Sequence, residues 1–319
     1  MIFEKKVIGI YKGMAYTRYD SDGLAYYFSA DDFDGLQAEA YEFKASAGHT
    51  LKGSFYYYDG FNPDRLMVFD HGIGGGHLSY MKEIEMLCRR GYRVFAYDHT
   101  GCMESGGENT GGMAQSLCDL NDCITSLRAD ERFKELDLSV IGHSWGGFST
   151  LNITALHPEI SHIVVMSGFV SVEILINSIF HGVLKGYRKP VLKLEKESNP
   201  NFYKYNAVDT LSKSDVKALL IYSDNDKICR KIHYDTLKSA LASKNNIRFL
   251  LEKNKGHNPN YTEKAVEYLG EYIKAKADLL KSKNITDTQK AEFVASYDWN
   301  AMTAQDERVW AEIFDCLDS

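Results

Sequence analysis

At 319 residues with 44% hydrophobic side chains, the chain can bury a sizeable core, as one large α/β domain or two small ones. A formal charge of −7, with Lys and Arg scattered among Asp and Glu and no basic stripe interleaved with aromatics, excludes nucleic acid as an expected partner. The six cysteines, at positions 88, 102, 118, 123, 229 and 316, form no Cys-x-x-Cys pair; neither a zinc site nor a disulfide framework is expected, and reduced thiols in a cytoplasm fit best.

The first residues, Met1-Ile2-Phe3-Glu4-Lys5-Lys6-Val7, place an acid before the lysines and lack a continuous apolar run, unlike a signal peptide, which points to a cytoplasmic protein. Residues 1–36 read as a tyrosine-rich N-terminal extension with weak strand signals over 7–11 and 24–28. Its clusters Asp20-Ser21-Asp22-Gly23 and Asp31-Asp32-Phe33-Asp34-Gly35 lack the spacing of an EF-hand loop and read as solvated turns.

Residues 37–281 read as one domain. Strands over 41–45 and 51–58 flank a turn at Gly48, and a buried strand follows over 65–70. Helices are then expected over 79–89 and from about 113 to 127, with a strand over 93–97 between them. A strand over 138–141, a helix over 148–156 and a strand over 162–166 come next. Past an insertion at about 171–215, the pattern resumes with strands over 216–222 and 247–251 and helices over 233–243 and 262–280. This alternation implies βαβ units and a mostly parallel sheet flanked by helices.

Residues 163–184 are apolar over roughly the ~20 residues a bilayer span needs. Glu173 at the centre, the Ser167-Gly168 break and a β-branched first half argue instead for a strand and then an amphipathic helix, with no transmembrane segment. In that helix Val172, Leu175, Ile176, Ile179, Phe180, Val183 and Leu184 recur at helical spacing opposite Glu173, Asn177, His181 and Lys185. Such a stripe serves either core packing or, as a cap helix facing the site, the binding of an apolar acyl group. The tail, 282–319, carries a capping-type Thr303-x-x-Asp306 and the stripe Val309, Trp310, Ile313, Phe314, Leu317, expected to dock on the domain or on the partner subunit of a homo-oligomer.

The chemistry centres on Gly142-His143-Ser144-Trp145-Gly146-Gly147, which follows the strand Leu138-Ser139-Val140-Ile141 and precedes a helix. A serine on so sharp a turn projects its hydroxyl above the sheet, and the helix adds its positive end to any negative charge forming there. A hydroxyl needs a base, and histidine has a suitable pKa; His257, in Lys255-Gly256-His257-Asn258-Pro259 after the last predicted strand, is the candidate. A carboxylate past another strand must orient the imidazole: Asp226 in Ser223-Asp224-Asn225-Asp226 fits, with Asp224 as its rival.

Two further motifs, His71-Gly72-Ile73-Gly74-Gly75 and Asp98-His99-Thr100-Gly101-Cys102-Met103-Glu104-Ser105, complete a pattern over about 41–275 that resembles the α/β-hydrolase superfamily, in particular its lidded esterase and monoglyceride-lipase-like members. The first is similar to the family's His-Gly-x-Gly oxyanion loop. The second is similar to its Asp-x-x-Gly-x-Gly-x-Ser turn, with Met103 where glycine is usual. The resemblance implies a helical cap in the insertion, His257 on a mobile loop, and backbone N–H groups of Ile73 and Trp145 as the oxyanion hole. His71, His77 and His143 are expected to shape turns or pack.

No dinucleotide fingerprint, Walker loop or His-Glu-x-x-His helix occurs, so no cofactor and no metal is expected. The function expected is a serine hydrolase acting on a small-molecule carboxylic ester through an acyl-enzyme on Ser144. A thioesterase, peptidase or amidase would use the same triad, whereas a non-catalytic binding protein on this fold would be marked by loss of nucleophile or base; all three members are present.

Overall fold

The computed structural model describes residues 2–282 and 284–319. Strands β1 (Gln37–Lys44), β2 (Thr50–Tyr57), β3 (Arg65–Asp70), β4 (Arg93–Tyr97), β5 (Asp137–His143), β6 (His162–Met166), β7 (Lys217–Ser223) and β8 (Ile247–Glu252) form one sheet in the order β1-β2-β4-β3-β5-β6-β7-β8. Pairing is antiparallel from β1 through β2 to β4 and parallel elsewhere. After β3 the chain steps out to β4 and returns to β5 on the other side, so the loops at the carboxyl ends of β3 and β5 lie side by side at this reversal of strand order.

The helices, in chain order, are α1 (Ile2–Ala15), α2 (Met81–Arg89), α3 (Gln115–Ala129), α4 (Ser144–Asn152), α5 (Val172–Ile179), α6 (Arg188–Ser198), α7 (Ala207–Ser212), α8 (Ile232–Leu241), α9 (Glu263–Leu279), α10 (Asp287–Ala295), α11 (Trp299–Met302) and α12 (Glu307–Leu317). Strand side chains alternate between faces, and here both faces are covered. Leu66 and Val68 of β3 join a core with Leu117, Leu120 and Ile124 of α3, while Met67 and Phe69 join one with Ile84 and Leu87 of α2 and Trp310 and Ile313 of α12. The terminal stripe therefore docks on its own domain. Its N-cap is Asp306, whose carboxylate accepts from the Arg308 N–H, rather than Thr303, which ends α11.

The N-terminal segment differs from its sequence reading. The β-branched Val7, Ile8 and Ile10 suggest a strand, yet residues 2–15 are helical, because Val7, Tyr11 and Ala15 stand four apart and bury one face. Residues 24–28 form no strand; Leu24 and Phe28 are buried from a loop whose Leu24 carbonyl accepts from the Tyr272 hydroxyl at 3.0 Å.

The helix expected over 172–184 also changes. Helix α5 starts at its Ser171 cap and stops at Ile179, and the Arg188 guanidinium donates to the Asn177 and Phe180 carbonyls that a longer helix would use. Gly182, at φ +59°, turns the chain away. Val172, Leu175, Ile176 and Phe180 are thus core residues, while Val183 is 96% exposed. Among the described residues no helix is long and apolar enough to cross a membrane, and all six cysteines are free.

Candidate active site

The carboxyl edge of the parallel strands carries the candidate site residues. Ser144 is the first residue of α4, directly after β5, at φ +56°. Non-glycine residues pay roughly 1–3 kcal/mol for such a conformation, so the surroundings must impose it. They do so by close approach: a Cβ on Gly142 would lie 2.2 Å from Thr150 Oγ1, and one on Gly146 would lie 2.0 Å from the Asp70 carbonyl oxygen. Only glycine at both positions lets β5 turn into α4 against β3.

The Ser144 hydroxyl lies 2.8 Å from His257 Nε2, and His257 Nδ1 lies 2.8 Å from Asp226 Oδ2. Asp226 ends a turn after β7; its second oxygen accepts from the N–H groups of Ile228 at 2.8 Å and Cys229 at 3.1 Å. Burial alone would raise this carboxyl's pKa, but the His257 hydrogen bond and charge, with the Ile228 N–H, hold it below the usual carboxylate range. An ionised Asp226 places the imidazole proton on Nδ1, leaving Nε2 as the acceptor facing Ser144. Ser144 is only 8% exposed, so the relay lies in a shielded environment that strengthens its hydrogen bonds.

Asp224 does not reach this group; it is exposed and accepts from the Asn254 N–H at 3.1 Å. The His257 loop is pinned from below. The Lys255 N–H donates to Ser223 Oγ at 3.0 Å, the Gly256 N–H donates to Asn225 Oδ1 at 2.8 Å, and the Lys255 ammonium pairs with Asp306 at 2.7 Å. The Ser223 hydroxyl and, through Asp306, the C-terminal tail therefore hold the loop.

The loop after β3 abuts the serine. The Gly146 N–H donates to the His71 carbonyl at 3.1 Å, and a Cβ on Gly72 would lie 3.3 Å from Ser144 Cβ. Ile73 follows directly, and Trp145 is second in α4, where no preceding turn supplies an acceptor. Among the described residues, neither backbone N–H donates to a protein acceptor.

One linkage escaped the sequence. His143, expected only to pack or shape a turn, lies with Nε2 2.8 Å from the His257 carbonyl oxygen, so Nε2 carries the proton and Nδ1 accepts. The Tyr80 hydroxyl donates to that Nδ1 at 2.8 Å, and its oxygen accepts from the Gly72 N–H at 3.1 Å. Burial, with the neighbouring His257, lowers the His143 pKa to about 3 and keeps the ring neutral, as this pattern requires. The His257 loop and the loop after β3 are therefore tied through Tyr80, which lies 63 positions from His143 and carries no local signal.

Beneath them, His71 accepts the His99 N–H at 2.9 Å, and His99 lies between Asp70 at 2.9 Å and Asp119 at 3.2 Å, all fully buried. Desolvation would lower the His99 pKa, but the two carboxylates win and raise it to about 9. In the turn after β4, Met103 adopts φ +41°, which explains why glycine is usual there. Its N–H donates to the Tyr19 carbonyl at 2.8 Å, and the Arg18 guanidinium donates to the carbonyls of Met103, Ser105 and Gly107. The N-terminal segment thus secures this turn.

Residues 62–255 match the family model described as serine aminopeptidase, S33, a span of more than half the chain. The RutD protein of Rhizobium rhizogenes, named for carbamate hydrolysis, is 31% identical over 101 residues, covering 31% of this chain and 36% of that protein. The uncharacterized protein YqkD of Bacillus subtilis is 23% identical over 127 residues, or 40% of this chain and 41% of its own length. The chain thus matches between 36% and 41% of the length of these curated relatives. The Pyrococcus furiosus esterase Pf2001 superposes with a TM-score of 0.59 at 17% identity, covering 88% of this chain and 99% of that one. The esterase EaEST of Exiguobacterium antarcticum superposes with a TM-score of 0.50 at 16% identity, covering 76% and 99%. At these identities the structural likeness speaks for the fold.

Proposed function

The chain belongs to the serine aminopeptidase S33 family of α/β hydrolases, and from that premise we propose that it cleaves carboxylic esters through an acyl-enzyme on Ser144. The observation that carries this reading is the relay from Asp226 through His257 to Ser144, with both hydrogen bonds at 2.8 Å. In this account His257 Nε2 takes the Ser144 proton as Oγ attacks the acyl carbonyl, and Asp226 stabilises the imidazolium. The Trp145 and Ile73 N–H groups receive the charge forming on the carbonyl oxygen, supported by the positive end of α4. The imidazolium then protonates the leaving alcohol, and a water activated by the same nitrogen releases the acid.

A second reading is cleavage of an amide or carbamate with the same residues, favoured by the RutD similarity and the family's aminopeptidase description. What separates the two is protonation of the poorer leaving group, a property of the acid step rather than of the relay. Hydrolysis of matched p-nitrophenyl esters and p-nitroanilides by wild type and Ser144→Ala tests this. The ester reading expects kcat/KM for the ester to exceed that for the anilide by orders of magnitude, with both lost in the variant; comparable values would favour the second reading.

A further inference from the structure

Three segments build the outer side of the insertion: residues 2–15, 179–193 and 227–232. They meet directly. The rings of Tyr11 and Phe180 pack edge to face at 6.1 Å, and Arg230 donates to the Ser178 carbonyl at 3.1 Å. Seven of the ten large apolar side chains exposed among the described residues belong to these three adjoining segments. Ile10 and Met14 stand four apart on the outer side of α1, and Ile228 and Ile232 flank the start of α8. Val183, 96% exposed, tops a turn between Gly182 and Gly186, with Ile179 and Leu184 beside it.

The charge of the same three segments is equally lopsided. They hold ten Lys and Arg and one acid, Glu4, so they carry +9 in a chain of −7, leaving −16 for the remainder. At the margin Asp235 pairs with Lys231 and Glu197 with Lys193. Between α5 and α8 a cavity of about 380 Å³, lined by Ser178, His181, Arg230 and Lys231 among others, adds cationic donors to the face.

We propose that this face docks on an anionic lipid bilayer. An aliphatic crest ringed by lysines suits the boundary between headgroups and acyl chains, where apolar burial and attraction to acidic lipids add, each basic residue contributing about 1 kcal/mol near the surface. A second copy is disfavoured as occupant, because twofold pairing through this face would set two strongly basic surfaces against each other. Val183 stands on a convex turn rather than in a groove, the shape that enters a deformable surface. Residues 227–232 begin immediately after Asp226, so docking presents the candidate active-site edge to the bilayer; the inference holds whatever that site cleaves.

The test is flotation of the full chain with phosphatidylcholine vesicles, with or without a phosphatidylglycerol fraction. Wild type should float with the anionic vesicles at low salt, stay behind with neutral ones, and be released as salt screens the lysines. Val183→Asp/Leu184→Asp should weaken partitioning about tenfold or more by removing the apolar crest and adding negative charge. Ile273→Asp/Leu280→Asp, also exposed but on or beside α9, should leave it unchanged. The thermal melts of all variants serve as the folding control. No flotation, or equal loss from both double variants, would overturn the proposal. So would a concentration-dependent dimer abolished only by Val183→Asp/Leu184→Asp, which would make a second copy the occupant.

Discussion

The edge of the sheet that carries Ser144 and the insertion above it are built on opposite principles. At the edge, short-range geometry dominates: glycines at 142 and 146 exist because backbone crowds their Cβ positions, and Ser144 takes its positive φ from the turn they make. In the insertion, order comes from distant partners. Tyr11 of α1 donates to Glu195 of α6 at 2.6 Å, and the Met113 N–H donates to the other Glu195 oxygen at 2.8 Å, so one buried carboxylate joins three remote segments. Local geometry leaves a fixed spacing in the sequence; a remote partnership leaves only one polar residue among many.

The comparison breaks first at the acid. Asp226→Asn should lower kcat by roughly 10⁴-fold, because His257 then loses its orienting acceptor and takes the wrong tautomer. Asp224→Asn should change kcat little, since that carboxylate caps the Asn254 N–H instead. Measured ester turnover of the two variants decides it, and larger damage at 224 would mean that the relay is misassigned.

In the insertion the expected damage is to stability rather than chemistry. Glu195→Ala strands the Met113 N–H and the Tyr11 hydroxyl in a buried site and should cost roughly 2–4 kcal/mol in urea unfolding. The residual folded fraction should keep its rate of turnover. An unchanged midpoint would show that α1 and α6 are held together by something else.

A smaller effect sharpens the contrast from below the site. With its folded pKa raised from about 6.5 to about 9, His99 contributes stability that is full below pH 6.5 and lost as pH rises through about 9. His71 and His143, lowered to about 3 by burial, act in the opposite sense: their contribution is present above pH 6.5 and lost as pH falls toward 3. Stability should therefore peak near neutrality, with an alkaline loss of roughly 2–3 kcal/mol from His99. A flat profile of unfolding free energy from pH 6.5 to 9.5 would refute the charged His99 between Asp70 and Asp119.

These contrasts explain what the sequence disclosed. The sheet, the strand-to-helix turn at Ser144 and the placement of Asp226 and His257 after β7 and β8 could be read from periodicity, glycine spacing and family resemblance. Helix α1 could not: Val7, Ile8 and Ile10 favour a strand locally, and only packing of Val7, Tyr11 and Ala15 against distant residues makes it helical. The early end of α5 was hidden likewise, because Arg188, the residue that caps it, lies nine positions beyond Ile179. Tyr80 escaped because its role exists only once β3 and β5 are neighbours.

The central claim is that His257 activates Ser144, and intact-mass analysis after treatment with a fluorophosphonate tests it most directly. The account predicts a single adduct, on Ser144, absent in Ser144→Ala and strongly slowed in His257→Ala, because only a base-activated hydroxyl beside oxyanion donors reacts readily. No adduct on the wild type, or an adduct that survives Ser144→Ala, would contradict it.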